Sequence, residues 1–229
     1  MGKLTKVLIL ESGTIINFSM NGLIYIIEEL KKKFDGKFLI TSQVKYETID
    51  RPLKVPRFEL EALRVENLLD NRVIEMPSSL GISEEEIKRE TKALMEIANH
   101  TIKQDGQWIK IVSEAEISCL ALSSILTKRG IDNIISIDER TTRILAEKPE
   151  NLEEIISKKI HQNVKLITGA DFSAFSKFKF IRSSELAYVA YKKGLLKIKG
   201  PKVLEAALYA TKYKGSSISH EEINALKKL

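Results

Sequence analysis

The chain contains one cysteine, Cys119, among its 229 residues. That excludes an internal disulfide and a thiolate metal site. The three histidines, His100, His161 and His220, have no ligand spacing, and surface or packing roles are expected of them. The 11 glycines include no Walker-type phosphate loop, which argues against a nucleoside-triphosphate enzyme. Apolar runs are short, Val7–Leu10 among the longest, so no membrane span is expected. The opening stretch MGKLTKVLIL lacks an apolar region long enough for a secretory signal. These absences point to a cytoplasmic protein.

What is present suits a folded domain. The chain is 43% hydrophobic and 30% charged, enough to bury a core and too apolar for disorder. Its net charge of +6 is unevenly placed. Lys177–Leu229 carries 12 Lys/Arg against 4 Asp/Glu, a net of +8, which leaves the remainder slightly acidic. A basic tail suggests a polyanionic partner. The competing reading is that the lysines solvate the outer faces of the last helices.

Hydrophobic patterning predicts strands at 6–10 (KVLIL), 37–41 (KFLIT), 108–112 (WIKIV), 133–137 (NIISI) and 164–168 (VKLIT). Helices are predicted between them, with a mostly helical stretch over 52–107 and three more helices at the end. Ser83 with Glu86, and Ser219 with Glu222, have capping-box spacing, and Asp105-Gly106 marks a turn. Strands alternating with helices predict an α/β fold with a mostly parallel sheet.

Four acids recur near the predicted carboxyl ends of strands. Glu11 follows the first strand. Glu47 lies in the helix after the second, Glu114 opens the helix after WIKIV, and Asp138 ends NIISI. Those ends share one side of a parallel sheet, where ligand sites form. Helical phase turns Glu114 inward with Ile117, Ala121 and Ile125, and leaves Glu116 nearly opposite, where solvent is its expected fate although a neighbouring metal is within reach. Inward carboxylates with no cation nearby in sequence need neutralising. Mg²⁺ or Mn²⁺ fits an all-oxygen set, and metal-assisted phosphodiester hydrolysis is the reaction class that follows. Each acid also has a plainer role as a strand-end, helix-start or N-cap charge.

The segments LILESGTIIN, SQVKYETID, VSEAEISCLAL and SIDERTTRILAE, in this order, resemble those of the PIN-domain nucleases. This group includes the ribonucleases of toxin–antitoxin pairs. The resemblance implies an α/β/α sandwich around a parallel sheet and dependence on Mg²⁺ or Mn²⁺. It also implies single-stranded RNA as substrate, frequent dimers, and a protein partner such as an antitoxin or a ribonucleoprotein. It assigns the metal-holding and catalytic roles to Glu11, Glu47, Glu114 and Asp138, with Glu116 as a further candidate because flap-type relatives use a similar Glu-Ala-Glu pair. Ser12 and Ser136 become supporting residues that orient ligands or the attacking water.

On this reading residues 1–182 form a PIN-like α/β domain, with 147–163 and 169–182 inserted, and 183–229 form a basic helical extension. Within 169–182, Phe172, Phe175, Phe178 and Phe180 interleave with Lys177, Lys179 and Arg182. That pattern suits base stacking, although a core role for the phenylalanines is favoured. Lys192 and Lys193 complete the candidate nucleic-acid contacts. One departure matters: the family's first acid is Asp and here it is Glu11. The extra methylene moves the carboxylate by about 1.5 Å, and a misplacement of ~1 Å can slow a reaction ~10²-fold. The departure leaves two expectations, an endoribonuclease or a PIN-like module that binds RNA or a protein without cutting it. A phosphatase or receiver reading is weaker, since it wants an Asp after the first strand.

Overall fold

The computed structural model describes residues 6–229. Its main sheet contains β1 (Lys6–Leu10), β2 (Gly36–Leu39), β5 (Asn133–Ser136) and β7 (Phe180–Ile181), all parallel, in the order β2-β1-β5-β7. Val7 to Leu10 are all buried because β1 has a strand on each side and helices on both faces. Glu75 adds a single parallel bridge to Leu39 at the outer edge of β2.

Eleven α-helices pack around this sheet among the described residues. The first, α1 (Ser12–Met20), leaves β1 directly; α2 (Tyr25–Lys33) packs on β2. A short α3 (Ser42–Lys45) runs on into a π-helical turn, Tyr46–Asp50, and α4 (Pro56–Asp70) follows with its proline in the first turn, where no N–H bond is lost. The pair α5 (Glu84–Asn99) and α6 (Glu114–Lys128) pack on each other, and α6 lies against β1 and β5. Gly130, with φ of 70°, ends α6 in the left-handed conformation that glycine adopts freely. Two helices, α7 (Arg140–Glu147) and α8 (Leu152–Ile160), follow β5. The last three are α9 (Ser183–Lys192), α10 (Val203–Tyr213) and α11 (His220–Leu226). The arrangement is α/β with a parallel sheet, compatible with three α/β/α layers. No helix among the described residues is long and apolar enough to cross a membrane.

Two predicted strands do not join the main sheet. WIKIV was expected as a buried parallel strand. Only Trp108 is in a strand, β4 (Gln107–Trp108), and it is half exposed. The cause is Asp105-Gly106: both residues have positive φ, 47° and 81°, and they close a two-residue hairpin that pairs β4 with β3 (Ile102–Gln104). VKLIT contributes only β6 (Lys165–Leu166), antiparallel to β3. The result is a separate three-stranded sheet, β4-β3-β6.

Residues 169–182, by contrast, supply β7 to the main sheet. Phe175 and Phe178 are buried, with ring centroids 6.4 Å apart. The α9 residues Leu186, Ala187 and Ala190 belong to the same core, whereas Leu204, Leu208, Ile218 and Ile223 make a small second cluster under α10 and α11. Phe175→Ala is therefore expected to lower the unfolding free energy by about 3–5 kcal/mol in urea titration. A loss below about 1 kcal/mol would place that ring outside the core.

Candidate metal centre

The strand order reverses between β1 and β5, since β2 lies on the other side of β1. Crevices at such points, beyond the carboxyl ends of the strands, are where open α/β sheets bind ligands. Glu11 is the first residue past β1, and its N–H donates to the Ser136 carbonyl at the end of β5, 3.0 Å away. Asp138 follows two residues later. The Thr14 and Ser136 hydroxyls are 3.0 Å apart and tie the start of α1 to the same strand end.

Glu11 is 4% exposed. It caps α1: its Oε2 accepts the Gly13 N–H at 2.7 Å. A Cβ built on Gly13 would stand 2.7 Å from the same oxygen, so glycine is what lets the backbone come this close. The Ser12 Oγ lies 2.5 Å from Glu11 Oε1 and 2.8 Å from Glu47 Oε2. A hydroxyl has one proton and cannot donate to both carboxylates at once. The chain of bonds is complete when Glu11 is protonated and donates to Ser12, which donates to Glu47. Burial, the largest cause, pushes the Glu11 pKa up to about 8. The hydrogen bonds from Ser12 and Gly13 oppose that rise, and the charges of Glu116 and Asp138 add to it.

Glu47 is half-buried in the first turn of the π-helical segment. Such turns recur at functional sites, and nothing in the hydrophobic pattern marks this one. Asp138 is buried, and both its oxygens have donors: the Ser183 N–H reaches Oδ1 at 2.9 Å and the Asn17 amide reaches Oδ2 at 3.1 Å. Asn17 also donates to the Thr211 carbonyl at 2.8 Å. Sequence reasoning missed Asn17 and Ser183 as holders of Asp138. Asn17 stands at the end of LILESGTIIN, but its burial becomes visible only once α10 is seen to cover it.

The inward orientation expected of Glu114 is corrected. Glu114 is exposed and lines a separate groove of about 760 Å³ with Glu84, Lys88 and His100. Its neighbour Glu116 is the half-buried one and the charge that acts on Glu11. The phase argument fails because α6 is buried on nearly every face from Ala115 to Leu126, so its hydrophobic residues select no side. Glu116 is drawn back by a capping box, its Oε2 accepting the Ser113 N–H at 2.8 Å and the Thr142 hydroxyl at 3.0 Å. Burial raises its pKa and the Glu139 charge adds to that. Glu139 itself caps α7, accepting the Thr142 N–H, and meets Lys159. Cys119 is buried, and burial pushes its thiol well up, so it is no nucleophile.

The basic residues singled out in the sequence do not gather at this crevice. Lys179 meets Asp132 at the amino ends of β5 and β7, opposite the acids. Lys192 donates to the Leu229 carbonyl and lies over the Tyr188 ring, and Lys193 is exposed. Lys177 acts electrostatically on Glu90, a residue of α5. Only Arg182 is near the crevice; it is buried and pairs with Glu185 and Glu222.

Glu11, Glu47, Glu116 and Asp138 form no ion pair among the described residues, which leaves the buried Glu11 side chain with no cation beside it. The donor set is all oxygen, the chemistry that suits Mg²⁺ or Mn²⁺. As arranged, no three of the acids among the described residues stand together as a ready metal cage. A cation bound here would have to displace the proton that completes the Glu11–Ser12–Glu47 chain of bonds. In comparisons with protein-family models, with curated proteins and with solved structures, the chain matches none.

Proposed function

We propose that the chain is a metal-dependent nuclease of PIN-like type, an endoribonuclease acting on single-stranded RNA. One observation carries the reading: a buried Glu11 at the strand-order reversal is coupled through Ser12 to Glu47 and through space to Glu116 and Asp138, with no cation of the described protein beside it. A bound Mg²⁺ or Mn²⁺ supplies charge screening at the phosphate and an activated water. Glu11, Glu47, Glu116 and Asp138 are the residues that would hold it. Ser12 and Ser136 orient the carboxylates and the start of α1, and Asn17 and Ser183 fix Asp138. The test is cleavage of end-labelled single-stranded RNA in Mn²⁺, Mg²⁺ and EDTA, with Glu47→Gln as the control for contaminating nuclease. Cutting that needs metal and disappears in the variant supports the reading. No cutting in any metal overturns it.

A second reading has its own observation. Both Glu11 oxygens already serve the fold, one capping α1 and one bonded to Ser12, as in a scaffold that has lost its metal. That chain binds RNA or a protein without cutting it, and retained RNA binding without cleavage favours it.

A further inference from the structure

A second cavity, of about 680 Å³, is basic and is lined by chain that adjoins the surroundings of Asp138. Its volume is in the ~300–1,000 Å³ range of small-ligand sites. Arg140, Arg143, Lys148, Arg182 and Lys212 line it, against two carboxylates, Glu147 and Glu222. Arg182 is held by Glu185 and Glu222, and Arg143 donates to Ser217 and, at 3.3 Å, to Glu147. Arg140 and Lys148 are exposed, and their side chains donate no hydrogen bond among the described residues. Among the described residues Lys212 is bonded to the Ile218 carbonyl alone and meets no carboxylate, which leaves its charge unneutralised there. The cavity therefore presents surplus positive charge with free donors.

Its place is fixed by three strands of chain that leave the surroundings of Asp138 and enter it. Arg140 comes two residues after Asp138. Arg182 immediately precedes Ser183, whose N–H holds Asp138. Lys212 immediately follows Thr211, whose carbonyl holds Asn17, the other partner of Asp138. Arg140 is two residues from Asp138, at most ~8 Å between Cα atoms at 3.8 Å per step, and Arg182 and Lys212 are each one residue from a group that holds Asp138 or its partner Asn17. Tyr213 also lines the cavity, with 73% of its surface exposed, and its ring runs nearly parallel to Tyr209 at 19° and 6.1 Å. Cations beside an open aromatic ring are the combination that holds single-stranded polynucleotide: phosphates on the cations, a base on the ring. An inorganic anion alone would have no use for the tyrosine.

We infer that this cavity is a phosphate-and-base subsite for single-stranded RNA, gripping the strand next to the phosphate presented to the acids. The inference rests on the RNA reading above. It assigns the grip to Arg140, Lys148, Lys212 and Tyr213, rather than to the lysines of the 169–182 segment.

The test measures binding of a fluorescein-labelled single-stranded RNA 12-mer by anisotropy in EDTA, where cleavage plays no part, over a series of salt concentrations. The variants are Arg140→Ala with Lys148→Ala, Tyr213→Ala, and Lys32→Ala with Lys33→Ala as a charge-matched control at the other end of the sheet. All five positions are exposed, and unchanged thermal unfolding confirms that each variant folds. Arg140→Ala with Lys148→Ala should weaken binding about tenfold or more and make the slope of log K against log salt shallower by about 1.4, at ~0.7 per phosphate contact. Tyr213→Ala should weaken it at least about fivefold with the slope unchanged. The control pair should do neither. Equal losses in the control pair, or none in the cavity variants, would overturn the subsite. Wild-type protein that binds through this cavity but never cuts would overturn the nuclease reading and leave the subsite standing. Cutting that survives with no cavity effect would do the reverse.

Discussion

Metal-free Glu11→Gln protein should be more stable than the wild type at pH 8, by a few kcal/mol, and inactive. Glutamine reproduces the protonated acid: its carbonyl accepts from Gly13 and its amide donates to Ser12, which still donates to Glu47. The sign follows from linkage. The folded-state pKa, about 8, lies above the ordinary 4.5. The folded protein therefore binds more protons than the unfolded chain between those values. The stability contributed by Glu11 is complete below pH 4.5 and is lost as pH rises through 8. Burial of Glu116 acts in the same direction. In melting experiments without metal, the wild type should lose stability steadily over that window. The variant should lose less, melting ~5–15 °C higher at pH 8. Added Mn²⁺ should close the gap by stabilising only the wild type. A variant that melts lower than wild type at pH 8, or parallel pH profiles, would show that Glu11 is already ionised in the fold.

The second large effect separates two glutamates two residues apart. On the proposed reading, Glu116→Gln should reduce metal-dependent cleavage by ~10²-fold or more, because a carboxylate that would hold the cation is lost. Its capping contacts survive, since the glutamine carbonyl can still accept from Ser113 and Thr142. Glu114→Gln should leave cleavage within about twofold of wild type, as for other surface changes away from a site. The comparison is made on the rate constant at saturating Mn²⁺ and again at low Mn²⁺, so that weakened metal binding is seen as such. Equal losses at both positions, or a larger loss at Glu114, would contradict the placement of α6.

The contrast between these two glutamates shows where sequence reasoning stops. The strands β1, β2 and β5 were legible because each is a short apolar run bounded by polar residues, and the positions of Glu11 and Asp138 follow from strand ends alone. The Ser-x-x-Glu spacing alone does not decide the outcome: Ser219–Glu222 and the unpredicted Ser113–Glu116 form reciprocal capping boxes, whereas Ser83 accepts the Glu86 N–H without the return bond because the Glu86 carboxylate pairs with Arg129. WIKIV does not join the main sheet because apolar content says nothing about partners: the Asp105-Gly106 turn pairs Trp108 with β3 instead. Phe180 and Ile181 were hidden as a strand by being only two residues long, and they gain their place from the neighbouring β5. The basic cavity was not legible at all. Its cations come from α7, the end of β7 and the end of α10, segments far apart in sequence that meet only around Asp138.

The measurement that reaches the central claim most directly is calorimetric titration of Mn²⁺ into metal-free protein at pH 7, repeated in two buffers of different ionisation enthalpy. If the cation displaces the proton held at Glu11, each Mn²⁺ bound releases about one proton at that pH. Affinity then rises with pH up to about 8, and both effects disappear in Glu11→Gln. Mn²⁺ that binds without proton release, or no better to wild type than to the variant, would contradict a cation site built on the buried acid.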